Sequence, residues 1–446
     1  MNHKGTETQS FTTMKELLLA YYGDDFTGST DALEFLCRAG AKTVLFIEPP
    51  TTEQLQSFPE LNAYGVAGKT RSLSPIEMEE VLVDGFVKLK GTNAKHIHYK
   101  VCSTLDSSPT VGSIGKVIDI ASIIFYNKLI PIIGGTPSLG RYCVFGNLFA
   151  KMGIGSNGAI YRLDRHPSMS KHPVTPAHES DLRLHLQQQT NNKIGLIDIL
   201  HLEQPIEQWT DHLQDDEKVV LVDALYNDQL TKIGEWLDAQ YTGGRSVFSI
   251  GGSSVEVALG NYWNSKNITQ PVNEWPHTGK SAPLLVVSGS CSPVTSKQID
   301  WAKANGFAEV IIDTASVCEQ GLVEVALLKQ TTALLQSGTS VIVHTGTKAD
   351  SNLPSEKIGA ALGILAKYVI KQTSIKRVVV AGGDTSSYAA RAMNIDAVEM
   401  IAPLVKGAPL CKVHSKDATM HGLEINFKGG QVGGDNYFGV LLNGEV

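Results

Sequence analysis

The chain has 446 residues, 42% hydrophobic and 19% charged, with a formal net charge of -7. That length is too great for one ordinary hydrophobic core and predicts two or three domains, and the composition excludes long disordered tracts. The acidic balance argues against nucleic acid as a partner, since duplex binding needs a basic excess, whereas a small anion needs only a local positive pocket.

Residues 1–14 are polar and lack the apolar core of a signal peptide, so they read as a polar tail. From 15 to about 275, short apolar β-branched runs alternate with helix-like segments. Strands are expected at 17–22, 43–47, 63–67, 96–101, 130–133, 159–163, 193–199, 219–222 and 247–250. Runs apolar on both faces with helices between them predict parallel sheet joined by right-handed crossovers. The stretch 261–282, with Pro271, Pro276 and Gly279, has no clear periodicity and reads as a linker. A second series follows, at 284–287, 308–312, 340–344 and 377–381, with a later pair near 423–427 and 437–442. The expected fold class is α/β: two α/β domains, 15–275 and 276–446, with mainly parallel sheets and an active site in the cleft between them.

The six cysteines, Cys37, Cys102, Cys143, Cys291, Cys318 and Cys411, include no C-x-x-C pair, which argues against a zinc knuckle. No secretion signal or membrane-length apolar run accompanies them, so a reduced, cytoplasmic protein with no membrane partner is expected.

Strand 17–22 runs into Gly23-Asp24-Asp25-Phe26-Thr27-Gly28-Ser29-Thr30, then a helix-like run 31–39 stopped by Gly40. Two carboxylates therefore sit at the carboxyl end of the first strand, the edge where open α/β sheets bind ligands. Thr27, Ser29 or Thr30 is expected to cap the helix, whose free N–H groups suit an anion. Adjacent side chains in an extended segment face opposite ways. One aspartate is thus free to accept a proton from a substrate hydroxyl while the other orients a neighbour or a metal. The plainer reading is a capped turn with two solvated aspartates, but a pair is more than capping needs.

Two textual matches to nucleotide motifs fail on context. Gly135-Thr-Pro-Ser-Leu-Gly140 is followed by Arg141-Tyr142 where a P-loop needs Lys-Ser/Thr. Gly153-Ile-Gly155-Ser-Asn-Gly158 precedes a strand, whereas a dinucleotide fingerprint opens a helix.

Three strand ends in the second half carry glycine and hydroxyl loops: Ser288-Gly289-Ser290-Cys291-Ser292, Thr345-Gly346-Thr347 and Gly382-Gly383-Asp384-Thr385-Ser386. A fourth cluster is Lys428-Gly429-Gly430-Gln431-Val432-Gly433-Gly434. Glycine lets backbone N–H groups approach a phosphate, and hydroxyls add donors. One such loop is usually only a turn; several on one sheet edge predict a nucleotide-phosphate site. Cys291 reads as a spectator. The positive charge of the first half gathers in Lys69-Thr70-Arg71-Ser72, in Lys100-Val-Cys-Ser-Thr-Leu-Asp106-Ser107 and around Arg162-Leu-Asp-Arg165-His166-Pro167 and Lys171-His172. A carboxylate substrate would need such cations, and arginine suits it through bidentate pairing. His166 and His172 lack the spacing of zinc ligands, and no zinc site is expected from them.

In this order and at these separations, the Asp24-Asp25 run, the Lys100 to Ser107 segment, His172-Pro-Val-Thr175-Pro176, the Ser288 and Gly382 loops and the Lys428 cluster resemble the four-carbon acid sugar kinase family over most of the chain. The resemblance implies ATP-dependent phosphorylation of a terminal hydroxyl on a four-carbon sugar acid, with the acid on the N-terminal domain and ATP, with Mg2+, on the C-terminal one. Asp25 is the first candidate for holding or deprotonating the attacking hydroxyl. Asp384 is the second, or a magnesium ligand. Arg71 and Lys100 are expected on the substrate carboxylate, with Asp24, Thr27, Asp106, Arg165 and His172 completing that site. Backbone N–H groups of Gly382, Gly383, Asp384 and Thr385, with Ser290 and Gly430, are expected to cradle ATP. Domain closure would exclude water. The Asp24-Asp25 and Arg162 to Pro167 elements are most similar to members acting on 3-oxo-isoapionate; others act on 3-oxo-tetronate, threonate or erythronate. The last cluster departs from the family's Lys-Ser-Gly-Asn-Phe-Gly type run. A nicotinamide-dependent sugar-acid dehydrogenase and a non-catalytic sugar-acid sensor are the alternatives from other classes. The sequence leaves the oligomeric state open, with a homodimer as one expectation.

Overall fold

The computed structural model describes residues 16–445 except 153–157, 173, 322 and 347–353. The polar tail 1–14, Gly153 and Gly155 of the rejected fingerprint, Pro173 and Thr347 lie outside the described residues.

The N-terminal half contains β1 (Leu19–Gly23), β2 (Thr43–Phe46), β3 (Ala63–Ala67), β4 (His96–Lys100), β5 (Ile130–Ile133), β6 (Arg141–Val144), β7 (Asn147–Lys151), β8 (Ile160–Arg162), β9 (Ile194–Ile197), β10 (Val219–Val222) and β11 (Val247–Gly251). The C-terminal half contains β12 (Leu285–Ser288), β13 (Ala308–Ile311), β14 (Val341–His344), β15 (Arg377–Ala381), β16 (Ala397–Val405), β17 (Ala408–His414) and β18 (Glu424–Lys428). The protein is α/β, and most of its strands are buried along their whole length with helices on both faces, as parallel sheet requires.

The two halves share one 15-stranded sheet, ordered β13-β14-β12-β15-β18-β17-β16-β2-β3-β1-β4-β11-β5-β10-β9. The hairpin β16–β17, which sequence patterning missed, is the splice. It pairs antiparallel with β18 on one side and with β2 on the other. Three successive antiparallel pairings reverse direction, so the parallel strands of the two halves run in opposite senses. Register breaks in β16, between Met400 and Ala402 and between Ala402 and Val405, are where such a ribbon bends. The loops at the carboxyl ends of β1 and β15 nevertheless meet at one cleft, where Asp24 and Asp25 share a cavity with Gly383 and Asp384. On one face a single core spans both halves, joining Phe26, Leu33 and Trp263 to Val380, Cys411 and Phe427; the Phe26 and Phe427 rings lie 4.5 Å apart.

Three local expectations change. Residues 437–442 form a helix, Tyr437–Asn443, not a strand. Its buried positions are Tyr437, Phe438, Gly439 and Leu441, and Gly439 packs on Trp301, where a Cβ would stand 2.3 Å from the ring. The expected strand at 159–163 is β8, which belongs to a separate antiparallel sheet β6-β7-β8. The stretch read as a linker begins inside the helix Ser254–Ser265, and its later part is pinned: Ser281 N–H donates to the Leu442 carbonyl (2.8 Å), and Arg377 donates to the Gly279 carbonyl (3.2 Å).

Candidate active site

β1 delivers Asp24 and Asp25 to the cleft. The helix after it, α1 (Phe26–Arg38), starts earlier than its apolar pattern suggests, and Asp25 is its N-cap. The Asp25 backbone is extended, and its Oδ1 accepts from Gly28 N–H at 2.7 Å. Thr27, Ser29 and Thr30 therefore do not cap. Instead the Thr27 hydroxyl donates to Asp25 Oδ2 at 2.9 Å. A carboxylate outcompetes a hydroxyl here because it meets both the free N–H groups and the positive end of the helix dipole.

One residue explains how two adjacent aspartates share a site. Arg71 follows β3 in a 3-10 turn, Thr70–Ser72. Its Nε and Nη2 donate to Asp24 Oδ2 (2.9 Å) and Oδ1 (2.7 Å), and its Nη1 donates to Asp25 Oδ2 (2.8 Å). Asp24 is buried, and burial pushes its carboxyl above the ordinary value while the guanidinium opposes that shift. Three of Arg71's five N–H groups are thus committed within the protein. Asp25 accepts three hydrogen bonds, leaving about one of its four acceptor directions for a ligand.

A cavity of about 420 Å³ opens beside this pair. From the N-terminal half it is lined by Asp24, Asp25, Phe26, Gly68, Lys69, Arg71 and Ser72, with His172, Val174 and Thr175 on a separate loop. The far wall is Gly383, Asp384, Ser387 and Tyr388 of the C-terminal half. The structure thus brings Asp24, Asp25, Arg71, His172, Gly383 and Asp384 together. His172 Nδ1 accepts from the Thr175 N–H and lies 3.0 Å from its hydroxyl, so the ring's proton sits on Nε2.

Other expected residues lie elsewhere. Lys100 is buried beneath α1 rather than lining the cavity, with Nζ on the Val101 carbonyl (2.9 Å). Asp106 lines a small neighbouring cavity with His185 and Glu179, and Thr175 is shared by both cavities. Arg165 is exposed on the turn Leu163–Arg165 and does not line the cavity. Lys69 was named only within the basic run 69–72, and Ser387 and Tyr388 were not singled out. The signal for Lys69 was its place just past Ala67 at the carboxyl end of β3, and its ammonium lies 5.9 Å from the Tyr388 ring across the cleft.

In the C-terminal half the loops after β12, β15 and β18 adjoin, because those strands are neighbours in parallel register. Gly382 has φ +122°, a conformation side chains rarely adopt, and a Cβ there would stand 2.7 Å from Thr385 Oγ1. Its N–H is taken by the Lys428 carbonyl (2.8 Å), so the free amides begin at Gly383. The helix Gly383–Ala392 has no side-chain cap. Among the described residues its first N–H groups have no acceptor, and they carry the positive dipole end, which is the chemistry of an anion site. Thr385 is buried behind them. Ser290 Oγ pairs with Thr295 Oγ1 (3.1 Å), and a Cβ on Gly430 would stand 3.2 Å from Ser290 Oγ, so these residues form one wall. Gly429 reaches across to α1, where its Cβ would be 3.7 Å from the Thr27 methyl.

Comparison with known proteins finds a family match in each half. Residues 19–259 match a family model described as a sugar-binding N-terminal domain, and 285–438 match one described as a nucleotide-binding C-terminal domain. The chain is 40% identical to a 3-oxo-isoapionate kinase of Paraburkholderia graminis, over 96% of this chain and 95% of that protein. It is 26% identical to a 3-oxo-tetronate kinase of Methylobacterium radiotolerans, over 96% and 99%. Two solved structures share its fold. One, from Haemophilus influenzae, has TM-score 0.71 and 21% identity, covering 95% and 98% of the two chains. The other, from Salmonella typhimurium, has TM-score 0.76 and 24% identity, covering 96% and 98%. With both domains matched in order and a relative at this identity along nearly its whole length, the chain belongs to the four-carbon acid sugar kinase family.

Proposed function

We propose that the protein transfers the γ-phosphoryl group of ATP to a terminal hydroxyl of a four-carbon sugar acid, releasing ADP, in carbohydrate catabolism. The substrate that the 40% relative favours is 3-oxo-isoapionate, phosphorylated to its 4-phosphate. The observation that carries this reading is one cavity with an acceptor side and a donor side: the Arg71-tied aspartates face the uncapped helix Gly383–Ala392.

Phosphoryl transfer asks mainly for positioning and charge stabilisation. Asp25, held on three sides, offers its remaining acceptor direction to the attacking hydroxyl. Arg71 fixes the aspartates, and its two uncommitted N–H groups are available to substrate. Lys69, with its ammonium at the cavity wall, is the cation best placed for the substrate carboxylate, with His172 Nε2–H as a further donor. The amides of Gly383, Asp384 and Thr385 take ATP phosphate oxygens, alongside Ser290 and Gly430. The acid thus belongs to residues 15–275 and the nucleotide to 276–446. Both sides line one cavity, and closure of the two halves over it would exclude water.

Among the described residues, no three His, Cys, Asp or Glu side chains are grouped to hold a metal by themselves. Asp384, exposed at the cavity edge, fits Mg2+, which keeps several waters and binds through one or two carboxylates plus phosphates. When bound it would neutralise charge on the phosphates.

A second reading is a 3-oxo-tetronate kinase, after the 26% relatives, or a threonate or erythronate kinase. ADP release measured over these acids separates them. The highest kcat/KM on 3-oxo-isoapionate is expected, and a preference for an unbranched acid would replace it. No helix among the described residues is long and apolar enough to cross a membrane.

A further inference from the structure

Lys428 ends β18 and is fully buried. Its ammonium donates to Thr295 Oγ1 (2.9 Å), to the Gly429 carbonyl (2.9 Å) and to the Gly430 carbonyl (3.4 Å). All three acceptors are neutral. The Tyr437 ring lies 5.5 Å away, and its hydroxyl donates to Asn426 Oδ1. The other elements packed here bring Thr27 from α1, Gln298 from the helix Pro293–Ala304 and Gly382 after β15. No carboxylate, histidine or second cation lies within ion-pair distance among the described residues. Burial of an unpaired ammonium is costly, and it pushes this lysine down to about 8. Tyr437 is pushed well above its ordinary value by burial and stays neutral.

The same contacts shape the loop. The Gly430 carbonyl accepts from Lys428, from Thr295 Oγ1 (3.1 Å) and from Ser292 Oγ, so it is turned into the protein. A trans peptide then turns the next N–H, that of Gln431, the opposite way. The N–H groups of Gly430 and Gln431 have no acceptor among the described residues. A donor surface with an uncompensated positive charge beneath it stands beside the uncapped helix Gly383–Ala392.

We propose that Lys428 is a positioning residue of the nucleotide site, drawing the Gly429 and Gly430 carbonyls inward, and that the bound polyphosphate is its missing counter-charge. The inference rests on the nucleotide reading above. An anion above the loop favours the protonated lysine, so at alkaline pH nucleotide binding must draw a proton onto Lys428.

The test is calorimetric titration of the full chain with ADP near pH 7 and pH 9, in two buffers of different ionisation enthalpy. The wild type is expected to bind about tenfold more weakly near pH 9, taking up close to one proton per ADP, as linkage to a group titrating about one unit lower requires. Lys428→Met is expected to bind weakly at both pH values with no such uptake. Lys428→Arg, if folded, keeps its charge and loses the uptake. Tight, pH-independent ADP binding without proton uptake by the wild type overturns the inference and leaves the nucleotide site standing. Folded wild type that binds no ADP near pH 7 overturns both.

Discussion

Arg71→Met removes the one guanidinium that spans both aspartates. Asp24 is buried, and its two oxygens take two of Arg71's hydrogen bonds, at 2.7 and 2.9 Å. Deleting one partner of a buried pair typically costs about 3–5 kcal/mol, because the other charge is left uncompensated. The carboxyl has an escape, which is to take up a proton. From an ordinary value of about 3.9 to pH 7 is about three units, so protonation limits the cost to about 4 kcal/mol. The same limit falls to about 1.5 kcal/mol at pH 5, where protonation is easier. Urea unfolding of wild type and variant at the two pH values reads this directly. A loss of about 3–4 kcal/mol near pH 7 that shrinks by more than half near pH 5, and is largely recovered in Arg71→Met/Asp24→Asn, is expected. A loss below about 1 kcal/mol, or one equal at both pH values, refutes the claim that Arg71 is committed to the aspartates.

Asp25→Asn is expected to lower kcat by about a hundredfold or more while ADP affinity stays within about twofold, since it acts on the acceptor side; unaltered turnover excludes it from the chemistry. A Cβ on Gly383 meets nothing within 4 Å, so Gly383→Val is expected to keep the fold and lose nucleotide binding by blocking approach to the amides; an unchanged ADP titration contradicts the site. Arg391 ties the helix Gly383–Ala392 to the other half, donating to Glu48 (2.7 Å), the Ile47 carbonyl (3.1 Å) and the Ala67 carbonyl (3.0 Å). Arg391→Ala is expected to lower kcat by about ten- to a hundredfold through misplacement, with the KM values little changed, and steady-state kinetics checks the split. Burial pushes Lys428 down to about 8 from about 10.5 in the unfolded chain, so between those values the unfolded chain binds more protons and stability is expected to rise with pH. The gain is at most about 3 kcal/mol; below about pH 8 the full cost of the buried charge is present. Lys428→Met removes this slope, and parallel urea curves from wild type and variant across that range speak against it.

The alternation of buried apolar runs with helices made the α/β class legible, as did the edge on which the Asp24-Asp25 and Gly382-Gly383 loops lie. The joining of the half-sheets was not legible. β16 and β17 carry ordinary apolar and polar residues, and the register of β16 with β2 and of β17 with β18 is decided by tertiary packing rather than local pattern. The early start of α1 was masked because Phe26 to Thr30 offers hydroxyls that compete as caps, while Asp25 wins through charge. The short run 437–442 is apolar in a way that suits strand or helix, and only the packing of Gly439 on Trp301 decides. At the site, residue type suggested Arg71 and Lys100 for a carboxylate. Their geometry ties the first to Asp24 and Asp25 and buries the second, and puts Lys69 on the cavity wall.

The central claim is phosphoryl transfer between the two sides of one cavity. The direct measurement is coupled ADP release from purified protein, with ATP and Mg2+, over a panel of 3-oxo-isoapionate, 3-oxo-tetronate, threonate and erythronate, and with NAD(H) in place of ATP. Acid-dependent ADP release, greatest with 3-oxo-isoapionate and absent without ATP, is predicted. Nicotinamide turnover, or ligand binding with no ADP formed from any acid, would contradict it.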